Sequence, residues 1–469
     1  MEFLWLFLPC VFIGSRLLPK KAVNGWLLLS SLLFYTFGEP VYIVLMLVSI
    51  SFNYTAGFCI DAARGLWRRV FLTVSLCVNI ALLGYFKYFD FAALMLKAVT
   101  GRTVLSLRNI ALPIGISFFT FQIMSYIIDL YRKKVKLQKN PFKLALYISF
   151  FPQLIAGPIV NYGDIEHQIS ERNFTPADTA YGIKRFIWGL SKKALIANTL
   201  AAAADGILAV ELNELASGYI WLAYLFYALQ IYYDFSGYSD MAIGLGRMFG
   251  FKFRENFNYP YLSRSITEFW RRWHISLSDW FRLNVYFPLG GNRKGKARTI
   301  INMFIVFALT GLWHGAGLNF IVWGLWHWLF ITVERIFSNK NALYKPFRYL
   351  LSSIFRRVAT LLVVYFGWVF FRAGSITAAV NTIVRMFSFS KGNPNFYFQT
   401  VGSPVTILAA ITALAGSGLL QSIFPKLKYS LFDETKTGLL HISVLIFLFI
   451  LSVTTITIGS YNPFIYFRF

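Results

Sequence analysis

Residues 299–330 read TIINMFIVFALTGLWHGAGLNFIVWGLWHWLF, and apart from His314 and His327 nothing in the stretch can ionise. The small residues Gly311, Gly315, Ala316 and Gly317 interrupt it and divide it into two apolar segments, 301–318 and 319–336. At 1.5 Å per helical residue each segment is about long enough to cross a hydrocarbon core. A titratable group at that depth is expensive to hold and by default marks a pathway or a reaction centre. The glycines beside His314 would let a neighbouring backbone or a substrate approach closely.

Composition extends this reading to the whole chain. Of 469 residues, 57% are hydrophobic, 19% aromatic and only 14% charged. Soluble domains carry roughly a quarter charged residues, so a lipid-facing exterior is expected here. The expected fold class is all-α: a polytopic helical membrane protein embedded in a lipid bilayer. Apolar runs recur at 22–38, 41–60, 70–88, 110–130, 142–160, 184–204, 218–234, 301–318, 319–336, 357–372, 404–424 and 438–459. They suggest roughly ten to thirteen membrane segments in a single domain over 1–469. The N-terminal MEFLWLFLPCVFIGSR has neither a basic start nor a small-residue cleavage site, which predicts a retained apolar segment.

The net charge is +25, from 45 Lys and Arg against 20 Asp and Glu. The basic residues fall mostly between apolar runs, as in Arg132, Lys133, Lys134, Lys136, Lys139 and Lys143, or Lys340, Lys345, Arg348, Arg356 and Arg357. That is the positive-inside pattern of cytoplasmic loops, and no nucleic-acid-reading module accompanies it. No nucleic acid is expected as a partner. Cys10, Cys59 and Cys77 have neither metal-ligand spacing nor a disulfide framework. HExxH, CxxC, P-loop and dinucleotide patterns are all missing from the sequence, so neither a metal nor a bound cofactor is expected.

One region is not a simple span. From 239 to 296 the chain is charged yet rich in aromatics, and within EFWRRWHISLSDWF (268–281) Phe269, Trp273, Leu277, Trp280 and Phe281 follow helical spacing. The pattern predicts one amphipathic helix, with Arg271, Arg272, Ser276 and Asp279 largely on its other faces, ended by the Pro288–Gly291 turn.

His314 and His274 are the candidate reactive pair among five histidines, because a neutral imidazole in an apolar channel can take a proton from a hydroxyl and pass it on. The plain alternative is a structural histidine for His314 and an interfacial one for His274. His327 follows His314 by about 220° on one ideal helix and reads as a packing or supporting residue. Asp234 and Asp240, in IYYDFSGYSDMAIG, could orient a histidine, neutralise an arginine, relay protons or serve only a helix bend at Gly237.

Taken together, several long stretches resemble the membrane-bound O-acyltransferase family, in its bacterial alginate O-acetyltransferase-like branch. They are LPIGISFFTFQIMSYIIDLYR (112–132), FFPQLIAGPIV (150–160), KRFIWGLSKKALIANTL (184–200), YYDFSGYSDMAIGLGRMFGF (232–251), ITEFWRRWHISLSDWFRLNVYFPLGGNR (266–293) and GLWHGAGLNFIVWGLWH (311–327), with NPFIYFRF at the C-terminus. The motif core runs from about 110 to 336. The resemblance implies a helical fold around a central tunnel, His314 as catalytic histidine and His274 as the second. It makes Asp234, Asp240, Trp313, Arg271, Arg272 and Trp273 candidates for donor binding or tunnel lining. Arg271, Arg272, Arg293, Lys294 and Lys296 are then candidate phosphate contacts.

The function implied is transfer of an acyl group, acetyl in this branch, from a cytoplasmic thioester across the bacterial inner membrane for O-acetylation of a secreted or cell-wall polysaccharide. The donor would be acetyl-CoA or an acyl carrier protein, and a separate extracytoplasmic acetyltransferase would be the partner. D-alanyl transfer towards teichoic acid is the neighbouring reading. A transporter or a scaffold without chemistry is the competing class.

Overall fold

In a computed structural model the described residues are 1–338, 348–393, 402–424 and 438–459. Lys340, Lys345 and the C-terminal NPFIYFRF lie outside them. The described residues form helices joined by turns and short irregular segments, with no strand among them. The all-helical membrane fold expected from the sequence is the one observed.

The chain divides into two compact units, the first comprising 1–186 and 241–254, the second 187–240 and 255–469. In the first, α1 (Lys20–Gly38), α2 (Tyr42–Ala62), α3 (Gly65–Leu83), α4 (Ile116–Tyr131) and α5 (Pro141–Ser149) pack together. Helix α4 is buried nearly throughout, its polar Ser117, Thr120, Gln122 and Ser125 included, as befits a helix packed among others. Helices α2 and α3 are joined by a closed polar zipper. Asn53 donates to Asn79 at 3.1 Å, Asn79 donates back at 2.8 Å, and Ser75 adds a bond to Asn53 at 2.9 Å. Such a network suits a lipid setting because each polar atom finds its partner inside the protein.

Two of the three points at which the chain passes from one unit to the other lie within helical stretches. The first is α6 (Pro176–Ser191), continued through a π-helical turn at Lys192–Ala197 into α7 (Asn198–Leu208). The second is the long α8 (Ser217–Met248). The second unit then contains the short α9 (Ile266–Trp270) and α10 (Ile275–Phe281), the hairpin of α11 (Gly295–His314) and α12 (Leu318–Ser338), and α13 (Arg348–Arg372). Helices α14 (Ile376–Phe387), α15 (Pro404–Leu414) and α16 (Leu439–Ile458) follow. Ser375 and Ser403 start α14 and α15 by accepting bonds from Ala378 N–H and Thr406 N–H.

Seven helices among the described residues are long and apolar enough to cross a membrane: Tyr42–Ala62, Gly65–Thr100, Gly295–His314, Leu318–Phe337, Ile354–Arg372, Pro404–Ile423 and Leu439–Ile458. Phe3–Leu17, Ile116–Tyr131 and Ile376–Phe387 are shorter apolar helices. Several apolar runs of the sequence become other things. The run 142–160 is broken at Phe150, before Pro152, into two short helices. The run 184–204 carries Lys184, Arg185, Lys192 and Lys193, and its neighbour 218–234 belongs to a 32-residue helix holding two aspartates.

The α11–α12 hairpin corrects one sequence expectation. His314 and His327 do not belong to one helix, so an angular offset along a single axis does not relate them. His314 is the last residue of α11, whereas His327 lies midway along α12. The backbones are close enough that a Cβ at Gly311 would collide with the carbonyl of Phe320, and one at Gly324 with that of Phe307. The small residues around His314 therefore admit a neighbouring helix.

Candidate active site

The candidate groups, Asp234, Asp240, His274, Trp313 and His314 among them, all belong to the second unit. The expected single helix over 268–281 is interrupted. Helix α9 ends at Trp270, residues 271–273 form a turn, and His274 takes the left-handed conformation, φ 44° and ψ 55°, immediately before α10. Helical spacing of the aromatics survives because both short helices bury the same kind of residue, Phe269 and Trp270 before the break and Leu277, Trp280 and Phe281 after it. A left-handed non-glycine residue costs roughly 1–2 kcal/mol, and such strain persists only where the surroundings impose it.

Here they do. Asn258 N–H donates to the Arg272 carbonyl at 2.9 Å and Ile275 N–H donates to the Asn256 carbonyl at 3.0 Å, bracketing His274 on both sides. The side chain of Asn256, fully buried, completes the clamp. Its Oδ1 accepts from Ser276 N–H at 3.2 Å and from Ser276 Oγ at 2.9 Å, while its Nδ2 donates to Ser239 Oγ at 3.2 Å. A backbone N–H can only donate, so the amide oxygen must face this side. His274 Nδ1, 3.1 Å from the same oxygen, therefore carries the proton and donates it. That leaves Nε2 as a lone pair. It is buried and has no hydrogen-bond partner among the described residues. Burial pushes the His274 imidazole down from its ordinary range to about 3, so the ring is neutral at any physiological pH.

Around this centre lies a continuous aromatic cluster. The Phe235 ring meets His274 edge-on at 4.6 Å, and Trp313 stands 5.8 Å away on another side. Trp313 also lies 4.9 Å from His314, which is buried and further enclosed by Trp323 at 4.9 Å and Phe371 at 5.2 Å. His327 is fully buried against Trp323, Trp270 and the parallel ring of Phe269, and a Cβ at Gly367 would come within 2.9 Å of its Nε2. The structure thus brings His274, His314, Trp313 and Trp273 into one core, Trp273 by stacking on Phe269 at 5.6 Å and leaning on Trp368 at 4.9 Å.

Asp234 and Asp240 have different company. Asp234 pairs with Lys193 and Asp240 with Lys192, each at 2.6 Å. Their charge is matched across α8 and the π-helical turn, where a Cβ on Gly237 would press on the Gly189 carbonyl at 2.8 Å. Arg272 spends its guanidinium on Glu268 at 2.8 Å and on the Asn258 carbonyl at 3.1 Å. Arg271, Arg293, Lys294 and Lys296 are exposed. No group of three or more metal-ligating side chains occurs among the described residues.

Sequence reading missed Asn256, which sits in the irregular segment ENFNYP with no periodicity to draw attention to it. It also missed Trp323 and Phe371, which read as ordinary apolar residues of spans.

Residues 132–377 match the model of the membrane-bound O-acyltransferase family. The chain is 38% identical over 487 residues to the probable alginate O-acetylase AlgI of Pseudomonas putida, covering 100% of this chain and 99% of that protein. It is 36% identical over 417 residues to the peptidoglycan O-acetyltransferase of Helicobacter pylori, covering 82% and 78%. The teichoic acid D-alanyltransferase of Bacillus subtilis is 32% identical over 250 residues, covering 51% and 62%.

Proposed function

Because this chain belongs to the membrane-bound O-acyltransferase family and is an O-acyltransferase of the membrane, we propose that it passes acetyl groups from a cytoplasmic thioester, acetyl-CoA, across the bacterial inner membrane for O-acetylation of a secreted or cell-wall polysaccharide. The relatives named for alginate and for peptidoglycan O-acetylation support acetyl as the group transferred. They align over most of this chain, whereas the D-alanyltransferase aligns over half of it. An extracytoplasmic acetyltransferase would be the partner completing transfer to the polymer.

The observation carrying the chemical reading is the pair of buried imidazoles, His274 and His314, packed on one indole inside the family-matched segment. His314 acts as general base. It takes the proton of the acceptor hydroxyl as that oxygen attacks the thioester carbonyl. The tetrahedral intermediate then collapses with cleavage of the carbon–sulfur bond, and the imidazolium returns the proton to the departing thiolate, giving ester and thiol. Backbone N–H groups in the non-helical stretch 315–317 are the candidates to hold the oxyanion. With Nδ1 committed to Asn256, neutral His274 offers only an acceptor at Nε2. Its role is therefore to hold an O–H or N–H of a bound substrate rather than to donate to the carbonyl. The exposed Arg293, Lys294 and Lys296 are candidate contacts for the donor's phosphates.

The test is transfer from radiolabelled acetyl-CoA by the purified chain in lipid, with and without added acceptor, comparing wild type and His314→Ala. Thioester loss that disappears in the variant supports the reading. A folded wild type that consumes D-alanyl-carrier thioester and ignores acetyl-CoA would replace it with the D-alanyl reading. Transport of a solute without thioester loss would replace it with a transporter.

A further inference from the structure

Helix α9 has five residues, far too few to be stable as an isolated helix in water. All three of its leading N–H groups are nevertheless bonded. Ser265 Oγ accepts from Glu268 N–H at 2.9 Å, on the helix's own edge. The other two bonds come from a different element. Glu334, near the C-terminal end of α12, accepts from Ile266 N–H and, at 3.1 Å, from Thr267 N–H, while Thr267 Oγ1 donates to the same carboxylate at 3.1 Å. One carboxylate thus serves as the cap of a helix it does not belong to, at the end where negative charge is favoured. Two turns earlier on α12, His327 lies parallel to Phe269 and edge-on to Trp270, gripping the other end of the same short helix.

From Trp270 the chain runs through a three-residue turn directly into the left-handed His274. Arg272 N–H and Trp273 N–H both return to the Phe269 carbonyl, at 2.9 and 2.8 Å, so the turn inherits the placement of α9. Helix α12 also carries Trp323, which packs on His314. The element that borders one histidine therefore fixes the approach to the other.

We propose that Glu334 is a positioning residue for the reaction: by capping α9 from α12 it holds the His274 turn in register with His314. The proposal rests on the catalytic reading of these histidines. The capping bonds form irrespective of substrate, so Glu334 acts on the fraction of protein with His274 correctly set rather than on donor affinity.

The experiment uses the full-length chain in lipid, with Glu334→Ala, Glu334→Gln, Thr267→Val and the Thr267→Val/Glu334→Ala double variant. Two readouts are taken: kcat and KM with acetyl-CoA, and the imidazole nitrogen NMR signals of ¹⁵N-histidine-labelled protein, with His274→Gln used to assign the His274 peak. Glu334→Ala is expected to lower kcat 10- to 100-fold with KM within about twofold. Glu334→Gln, which keeps an acceptor oxygen, should recover at least a third of wild-type kcat, and the double variant should be no worse than Glu334→Ala alone. In the spectrum Glu334→Ala should replace the single Nδ1-protonated His274 signal by a tautomer mixture. A kcat per folded protein equal to wild type, or an unchanged His274 signal, overturns the proposal. If wild type itself does not turn over acetyl-CoA, the donor reading fails, and the NMR comparison still decides the link between Glu334 and His274.

Discussion

His274 and His314 come from different elements of the second unit yet pack against the same indole, with the Trp313 ring centroid 5.8 Å from one imidazole and 4.9 Å from the other. Trp313 directly precedes His314 at the end of α11, so any substrate atom that meets His314 lies in the same aromatic enclosure that holds His274. The expected behaviour of variants follows from how each group in that enclosure is held.

Removing the His314 imidazole takes away the proposed base and leaves its aromatic neighbours in place. His314→Ala should lower acyl transfer by at least about 10²-fold, the lower range for general-base catalysis. Its unfolding midpoint in detergent should stay within a few degrees of wild type. Aggregation of the variant with transfer retained in the folded fraction would assign His314 a structural role.

Asn256 holds the His274 tautomer and the Ser276 N–H through one oxygen. Asn256→Ala leaves a buried N–H without a partner and frees the imidazole to invert its tautomer. The expected results are a stability loss of about 1–3 kcal/mol and at least a tenfold fall in kcat. Denaturant titration in mixed micelles and steady-state kinetics check the two separately.

His274 also gives a pH signature. Its folded value is pushed down to about 3 by burial, against about 6.5 when unfolded, so the unfolded chain binds the extra proton. The stability that comes from keeping this ring neutral is fully present above about pH 6.5. It is lost progressively as the pH falls towards 3, by on the order of 1 kcal/mol per pH unit. His274→Gln, which cannot titrate, should show a shallower decline of unfolding midpoint between pH 6 and pH 4 than wild type. Equal slopes would mean that His274 is protonated in the folded protein.

The Lys193–Asp234 pair is nearly closed off from solvent, with side-chain exposures of 11% and 1%. Neutralising one partner leaves the other buried and unmatched, so Asp234→Asn should destabilise by about 3–5 kcal/mol. Asp234→Asn/Lys193→Met removes both charges and should recover much of that loss. Recovery of fold without recovery of transfer would move Asp234 from support to chemistry.

In the first unit, Asn53→Ala breaks the reciprocal bonds to Asn79 and the bond from Ser75. A loss of roughly 0.5–2 kcal/mol is expected, the range for polar contacts between membrane helices, with kcat unaffected because no candidate catalytic group is touched. Unfolding of the variant in lipid, followed by tryptophan fluorescence, measures it.

The apolar runs made the fold class legible, because a helix in lipid must satisfy its backbone internally whatever its neighbours are. Hydropathy marked seven runs that form helices long and apolar enough to cross a membrane. It failed at 142–160, where Phe150 breaks the run, and helical spacing failed at 268–281, where His274 interrupts the expected helix. The break at His274 is tertiary: it is left-handed because backbone bonds to Asn256 and Asn258 hold it so, and nothing local to WRRWHIS requires it, whereas Pro152 supplies a local cause for the break at Phe150.

The candidate site divides along the same line. His314 stood out in the sequence because a lone imidazole among apolar residues is costly, and that cost is local. His274 was singled out beside it on its aromatic-rich segment and motif likeness strengthened it, while Asp234 and Asp240 were visible as charges in apolar sequence. Their lysine partners were not singled out, since Lys192 and Lys193 lie some forty residues upstream and meet the acids only through helix packing. Asn256 and Glu334 gave no local signal at all. By itself the sequence determined which residues must enter the membrane and which polar groups are expensive there, because transfer free energy belongs to the residue. Only the tertiary structure decided which of them face one another, which nitrogen of His274 holds its proton and which carboxylate caps its helix, because hydrogen bonds and ion pairs depend on contacts between segments far apart in the chain.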